Sequence, residues 1–214
     1  MRKSLLFLVL ILSSLPATAQ DTPRAELFLG YSALMTPPAE IVINDPPDSY
    51  SLRRERSFIN GWNAAATVNV NSWLAFSGDF SGHYGHIGYK ASSSSDLFDF
   101  SSDVRVHHFL VGPQFASNKG TAKVFFRGLI GGVHYYELSP AFGSILDPNG
   151  FGLALGAGGG VDYRINERMA WRIFQVDHLW YRFGRPKLVV NNVTLQDSVT
   201  QNNFRISTGF VFKN

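Results

Sequence analysis

Seven ionisable residues share one side of a repeating two-residue alternation: Glu26, Asp79, Arg127, Asp162, Arg172, Asp177 and Arg205. Four carboxylates and three guanidinium groups placed this way could form a salt-bridge network, line an ion pathway, or supply a carboxylate pair for catalysis. A charge withdrawn from water is tolerated only when it is paired and hydrogen-bonded. The set therefore predicts an interlocked network that plugs an interior, with a gated ion pathway through the same charges as the alternative.

Other constellations are weaker. Asp79, Ser81 and His83 share a face and contain the residue types of a hydrolytic set, but Ser and His two apart on a strand is a common coincidence. Asp177 and His178 are adjacent, so a strand sends them to opposite faces. His83, His86, His107, His108 and His134 gather near one end of three successive strands, yet His107 and His108 cannot both point to one metal. The run 156–160, Gly-Ala-Gly-Gly-Gly, is followed by no helix and so lacks the N-terminus that a phosphate cradle needs. These readings leave no catalytic, metal or cofactor residues. A basic sector remains, with Arg53, Arg54 and Arg56 in one long connection and Arg182, Arg185 and Lys187 in another, suited to anionic lipid phosphates including those of lipopolysaccharide.

The elements that must carry these residues are strands. Phe204, Ile206, Phe210 and Phe212 alternate with Asn203, Arg205, Ser207 and Gly209, giving one apolar and one polar face. A soluble barrel would turn the apolar face inward; a charged opposite face fits a polar lumen and a lipid-facing exterior. Eight such strands are expected at 24–34, 58–70, 73–86, 104–115, 122–136, 151–163, 169–183 and 201–212. Tight links at 71–72, 117–120 and 164–168 alternate with long connections at 35–57, 87–103, 137–150 and 184–200, the turn and loop asymmetry of an outer-membrane barrel. Pro37-Pro38 and Pro46-Pro47 predict irregular backbone in the first long loop. In the seventh strand, Arg172 and Gln175 can both face inward only if a bulge at Ile173-Phe174 resets the parity.

Aromatics fall at two levels: Trp73, Phe115, Phe125, Tyr163, Trp171 and Phe212 near the tight turns, and Tyr31, Trp62, Tyr84, Tyr135, Phe151 and Trp180 near the long loops. Rings of this kind prefer the headgroup level of a bilayer, so the two sets read as belts. Gly and Ala on one side of the sixth strand leave space in a narrow lumen for longer side chains opposite.

Arg2 and Lys3, the apolar run from Leu5 to Leu12, and Ala17-Thr18-Ala19 form an export signal, expected to be removed after residue 19. Residues 20–214 then form one domain. Loss of Arg2 and Lys3 lowers the formal charge from +3 to +1, which removes the case for nucleic acid. Cys is absent, excluding disulfides, thiolate metal sites and a lipoprotein anchor.

The stretches 25–32 (Ala-Glu-Leu-Phe-Leu-Gly-Tyr-Ser), 61–64 (Gly-Trp-Asn-Ala), 79–85 (Asp-Phe-Ser-Gly-His-Tyr-Gly), 109–115 (Phe-Leu-Val-Gly-Pro-Gln-Phe) and 202–209 (Asn-Asn-Phe-Arg-Ile-Ser-Thr-Gly) resemble the OmpA-like outer-membrane β-barrel (porin-type) family over nearly the whole mature chain. The resemblance implies an all-β, eight-stranded antiparallel up-and-down transmembrane barrel in a Gram-negative cell envelope, usually without catalytic residues. No peptidoglycan-binding domain follows the barrel, and the chain ends Phe212-Lys213-Asn214 rather than on an aromatic. The expected protein is a monomeric, non-enzymatic outer-membrane barrel with a structural or surface-interaction role. Its partners would be outer-membrane lipids and the insertion machinery. A narrow ion or solute channel is the first alternative, and a lipid-modifying enzyme the second.

Overall fold

A computed structural model describes residues 23–45, 48–92, 97–117, 120–138, 150–183, 188–190, 193–195 and 200–214. The export signal at 1–19 lies outside the described residues. The strands are β1 (Ala25–Thr36), β2 (Ala39–Asp45), β3 (Asp48–Arg54), β4 (Ser57–Asn69), β5 (Leu74–Ser92), β6 (Leu97–Ser117), β7 (Ala122–Leu138), β8 (Gly150–Arg164), β9 (Met169–Phe183), β10 (Leu188–Val190), β11 (Val193–Leu195) and β12 (Thr200–Lys213).

Eight of them close a barrel. β1 pairs with β4, and the ladder continues through β5, β6, β7, β8, β9 and β12 back to β1, always antiparallel. Closure leaves no open edge around the ring, which is the way strands satisfy their backbone in a medium without water. Followed across successive partners, Phe210 leads through Leu29, Ala64, Phe80, Phe109, Gly132, Leu153 and Arg182 to Thr200, ten residues along the starting strand. That stagger tilts the strands by about 40° and leaves an interior just wide enough for side chains.

Two asparagines shape the tight turns. Asn71 Oδ1 accepts the backbone N–H of Trp73 and Leu74, and Asn166 Oδ1 accepts that of Arg168. Gly120 supplies a left-handed φ of 73° in the turn between β6 and β7, a conformation costly for other residues.

The alternation sorts the side chains. Leu27, Leu29, Phe76, Phe80, Phe109, Val111, Ile130, Leu153, Ile206 and Phe210 are exposed, while every second residue between them turns inward. No helix among the described residues is long and apolar enough to cross a membrane. The parity break falls where expected: Val161 pairs with Phe174 but Asp162 with Arg172, so Ile173 is the extra residue of a bulge. Ile173 and Phe174 both face outward. Deleting Ile173 is therefore expected to keep Arg172 and Gln175 inward and to preserve a heat-modifiable barrel on a gel. An insertion after Ile206, which reverses the parity below it, should abolish that band shift.

Three expectations are corrected. The segment 87–103 is mostly strand, because β5 continues to Ser92 and β6 begins at Leu97, pairing Ile87 with Ser102 and Tyr89 with Phe100. The first long loop is irregular at Pro37-Pro38, as expected, but not beyond: β2 and β3 form a hairpin, and β3 docks on β5 through Ser51–Ser92 to Arg54–Tyr89. Its β-branched run Ile41-Val42-Ile43 favours a strand, and the extended β5 offers an edge to pair with. Pro46-Pro47 lies outside the described residues. Finally, Phe125 and Tyr135 do not belong to the aromatic belts, since both are buried and face the lumen.

Candidate functional site: the filled lumen

The inward residues stack in layers, beginning at the tight-turn end. Lys123 Nζ donates to both Glu26 oxygens, at 2.7 and 2.6 Å. In the next layer Arg172 grips Asp162 with Nε and Nη2 at 2.7 and 3.1 Å, and Nη1 donates to Gln175 Oε1 at 2.6 Å. Its guanidinium lies between the rings of Phe28 and Phe125, 4.4 and 4.3 Å from their centroids, so a cation is held by aromatic faces as well as by a carboxylate. Gly160 makes room for this sandwich, since a Cβ there would sit 2.9 Å from Phe125 Cζ.

The central layer joins four strands. Arg127 of β7 donates through Nε and Nη2 to Asp177 of β9 at 3.0 and 2.8 Å, and its Nη1 is an ion-pair neighbour of Asp79 Oδ2 at 3.0 Å. Arg205 of β12 donates from Nη1 to Asp79 Oδ1 of β5 at 2.8 Å, and from Nε and Nη2 to Asp177 Oδ2 at 3.1 and 2.9 Å. Neutral amides complete the shell: Gln175 Nε2 donates to Asp177, and Asn63 Nδ2 donates to Asp79. Two arginines thus share two aspartates, and the side chains of all four are almost wholly buried. Paired and hydrogen-bonded, they meet the condition for charges held out of water.

Hydroxyl and imidazole groups lie next to this cluster. Arg205 Nη1 donates to Ser81 Oγ, which also bonds His108 Nδ1 at 2.9 Å, and His108 Nε2 meets the Tyr181 hydroxyl. His83 Nε2 bonds Ser32 Oγ, which in turn contacts Ser207 Oγ at 2.9 Å.

Toward the long loops the interior becomes apolar. Leu34, Ile59, Ile87, Val104, Val106, Val133, Tyr135, Ala154, Leu179 and Tyr181 form one buried cluster, with Tyr89 and Phe183 packed against it. On β5, β7 and β9 these residues follow Asp79, Arg127 and Asp177 toward the loop end. The lumen is therefore charged in its lower part and largely apolar above, where Thr36, Ser102, Gln201 and Asn203 are the buried neutral polar groups among the described residues.

All seven ionisable residues singled out in the sequence are buried inside the barrel. The structure joins Asp79, Arg127, Asp177 and Arg205 in one cluster, links Asp162 to Arg172, and places Glu26 with a residue the sequence reading missed, Lys123. Parity could have found Lys123, which lies four residues before Arg127 on the same face; its position beside a tight turn disguised it. Among the described residues, inclusion of Lys123 balances the interior at four cations and four anions.

The hydrolytic set does not assemble. Ser81 is engaged by Arg205 and His108, His83 by Ser32, and all of these are buried. Asp177 faces inward while His178 faces outward beside Phe204. The histidines divide likewise: His83 and His108 inside, His86 on Asp103, His107 on Tyr84, and His134 on Phe151. Among the described residues, no group of three potential ligands could hold a metal ion.

The basic sector is described only in part. Arg53 and Arg54 follow β3 onto β5, opposite Lys90 and Tyr89, and Arg54 Nη2 donates to Pro37 O at 3.0 Å. Arg56 is exposed between β3 and β4. Arg182 instead lies on β9, opposite Leu153 and Thr200. Arg185 and Lys187 lie outside the described residues. Near Arg53, Lys90 Nζ is 2.7 Å from Glu55 Oε1; the ammonium holds the Glu55 carboxyl below its ordinary pKa, and the carboxylate raises that of Lys90.

No protein-family model matches the chain, and no curated protein sequence matches it. Solved structures do. The outer membrane protein OprG from Pseudomonas aeruginosa aligns with a TM-score of 0.58 at 8% identity, covering 90% of this chain and 96% of its own. Neisserial surface protein A aligns at 0.51 with 10% identity, covering 88% and 97%. At such identities the likeness establishes the fold, an all-β antiparallel up-and-down barrel of the outer-membrane type.

Proposed function

We propose that this chain is a non-enzymatic integral protein of the bacterial outer membrane, related to OmpA-like barrels, whose sealed lumen serves as a structural core and whose long loops face outward. The observation that carries this reading is the central cluster of Asp79, Arg127, Asp177 and Arg205, which ties β5, β7, β9 and β12 together across the axis. The apolar cluster above it, which contains no charged side chain, supports a closed rather than a conducting interior. Export with removal of residues 1–19, insertion by the envelope's assembly machinery, a monomeric state and no affinity for nucleic acid complete the proposal. Beyond the barrel, β2, β3 and the ends of β5 and β6 form a sheet suited to surface contact, because they extend past the last β4–β5 pair at Asn60–Tyr84.

The test is a conductance measurement on the refolded chain in a planar bilayer. The expected record is flat, without steady unitary steps. Reproducible steps of fixed size would move the assignment to a narrow channel, and a changed lipid A profile on expression, lost in His83→Ala, would move it to an enzyme.

A further inference from the structure

We propose that the outward face of β6 and β7 near the long-loop end, at Arg105, His107 and His134, binds the phosphate of an outer-leaflet lipid headgroup. The inference rests on the membrane reading above but concerns residues to which that reading gives no role. Arg105 is exposed, and its guanidinium carbon lies 5.9 Å from the centroid of Tyr136, its partner across the ladder. One step lower on the same face, His107 pairs across the strands with His134. Tyr84 of β5 lies against His107, with 2.9 Å between the hydroxyl and Nε2. Below His107 the face turns apolar at Phe109, which stacks on Phe80 at 4.5 Å, with Trp62 beyond.

The height of the patch follows from the strand geometry. Four residues separate Arg105 from Phe109, a rise of ~10 Å along a barrel axis with the usual strand tilt. If Phe109 is in hydrocarbon, Arg105 is at the headgroup level, where a long side chain can reach a phosphate while its stem stays on the apolar wall. A guanidinium fork suits phosphate oxygens, and imidazole and phenol groups add donors around it. Two carboxylates share this side of β6: Asp103, engaged by His86 at 2.5 Å, and Asp99, which lies opposite Lys90 across the ladder. Across the rim, the outward residues Ala33 and Met35 of β1, Phe58 and Asn60 of β4, and Asn202 and Phe204 of β12 carry no charge, whereas Arg182 on β9 is exposed and faces outward. Arg105 has two imidazoles and a phenol beside it directly above an apolar wall, and the occupant this combination fits is a phosphorylated glycolipid.

The experiment uses the full chain in detergent micelles, with lipid retention read by native mass spectrometry. The probes are a bis-phosphorylated acylated disaccharide, the same lipid without phosphates, and inorganic phosphate as competitor. The phosphorylated lipid should be retained at least tenfold better than its dephosphorylated form. Arg105→Gln should remove most of that preference, and Arg53→Gln should leave it intact. Equal retention of both lipids, no effect of Arg105→Gln, or displacement by inorganic phosphate alone would overturn the proposal. If Arg105→Gln fails to give a heat-modifiable barrel, His107→Gln/His134→Gln is read by the same criteria. Failure of the parent chain to insert into vesicles would instead strike at the membrane reading itself.

Discussion

Arg205→Met lowers the unfolding free energy of the barrel by about 3–5 kcal/mol, the usual cost of removing one partner from a buried ion pair. The substitution keeps an unbranched chain of similar length, so the loss comes mainly from charge. Without Arg205, Asp79 loses its hydrogen bond from Nη1 and Asp177 loses two. Arg127 then faces two carboxylates alone, and one negative charge stays uncompensated in a space closed to water. Urea titration in micelles, followed by tryptophan fluorescence, measures the effect. A second substitution supplies the control: Asp79→Asn in the Arg205→Met background should cost less than the two single changes summed, because it removes the surplus charge. Strict additivity would mean that the two residues do not act as one unit.

The lipid-facing wall gives the second large effect. Ile206 is 51% exposed on the outer surface of β12, between Arg205 and Ser207, which face inward. Ile206→Arg should cost about 2–4 kcal/mol, because a guanidinium near the bilayer midplane has neither water nor a partner. Ile206→Leu should be almost neutral in the same assay. Unfolding from vesicles is the informative measurement, since a micelle lets water reach the substituted position more easily. Similar stability of the Arg and Leu variants would mean that this face does not meet hydrocarbon.

Much of this architecture was legible in the sequence because period 2 is a strong signal when the two faces differ as sharply as Arg205 and Ile206 do. The bulge at Ile173 was legible for the same reason: Arg172 and Gln175, three apart and both polar, cannot share a face on a regular strand. What the alternation could not say is which inward residues meet. Asp79 and Arg205 are 126 positions apart, and only the ring closure and its stagger bring them together. Phe125 and Tyr135 were misread because an aromatic near a strand end looks the same whether it anchors a membrane or fills a lumen. In Phe125 the deciding factors were the absent side chain of Gly160 and the cation of Arg172. The β2–β3 hairpin was hidden by its flanking prolines, which mark turns without excluding strands between them. The apolar cluster of the upper lumen escaped notice because inward Leu, Ile and Val are unremarkable one strand at a time, and become a cluster only when seven strands deliver them to one level.

The seam between β1 and β12 sets an order of events during assembly. Arg205 belongs to the last strand of the barrel, and Ser207 beside it meets Ser32 from the first strand, 175 positions away. Until those two ends find each other, Asp79, Arg127 and Asp177 remain wetted, and no part of the chain must carry a dry charge. Dehydration of the ionic centre and sealing of the wall therefore happen together, late, and at the high loop-closure entropy of a very non-local contact. An unsealed intermediate stays compatible with an aqueous compartment; the completed ring does not return to it readily.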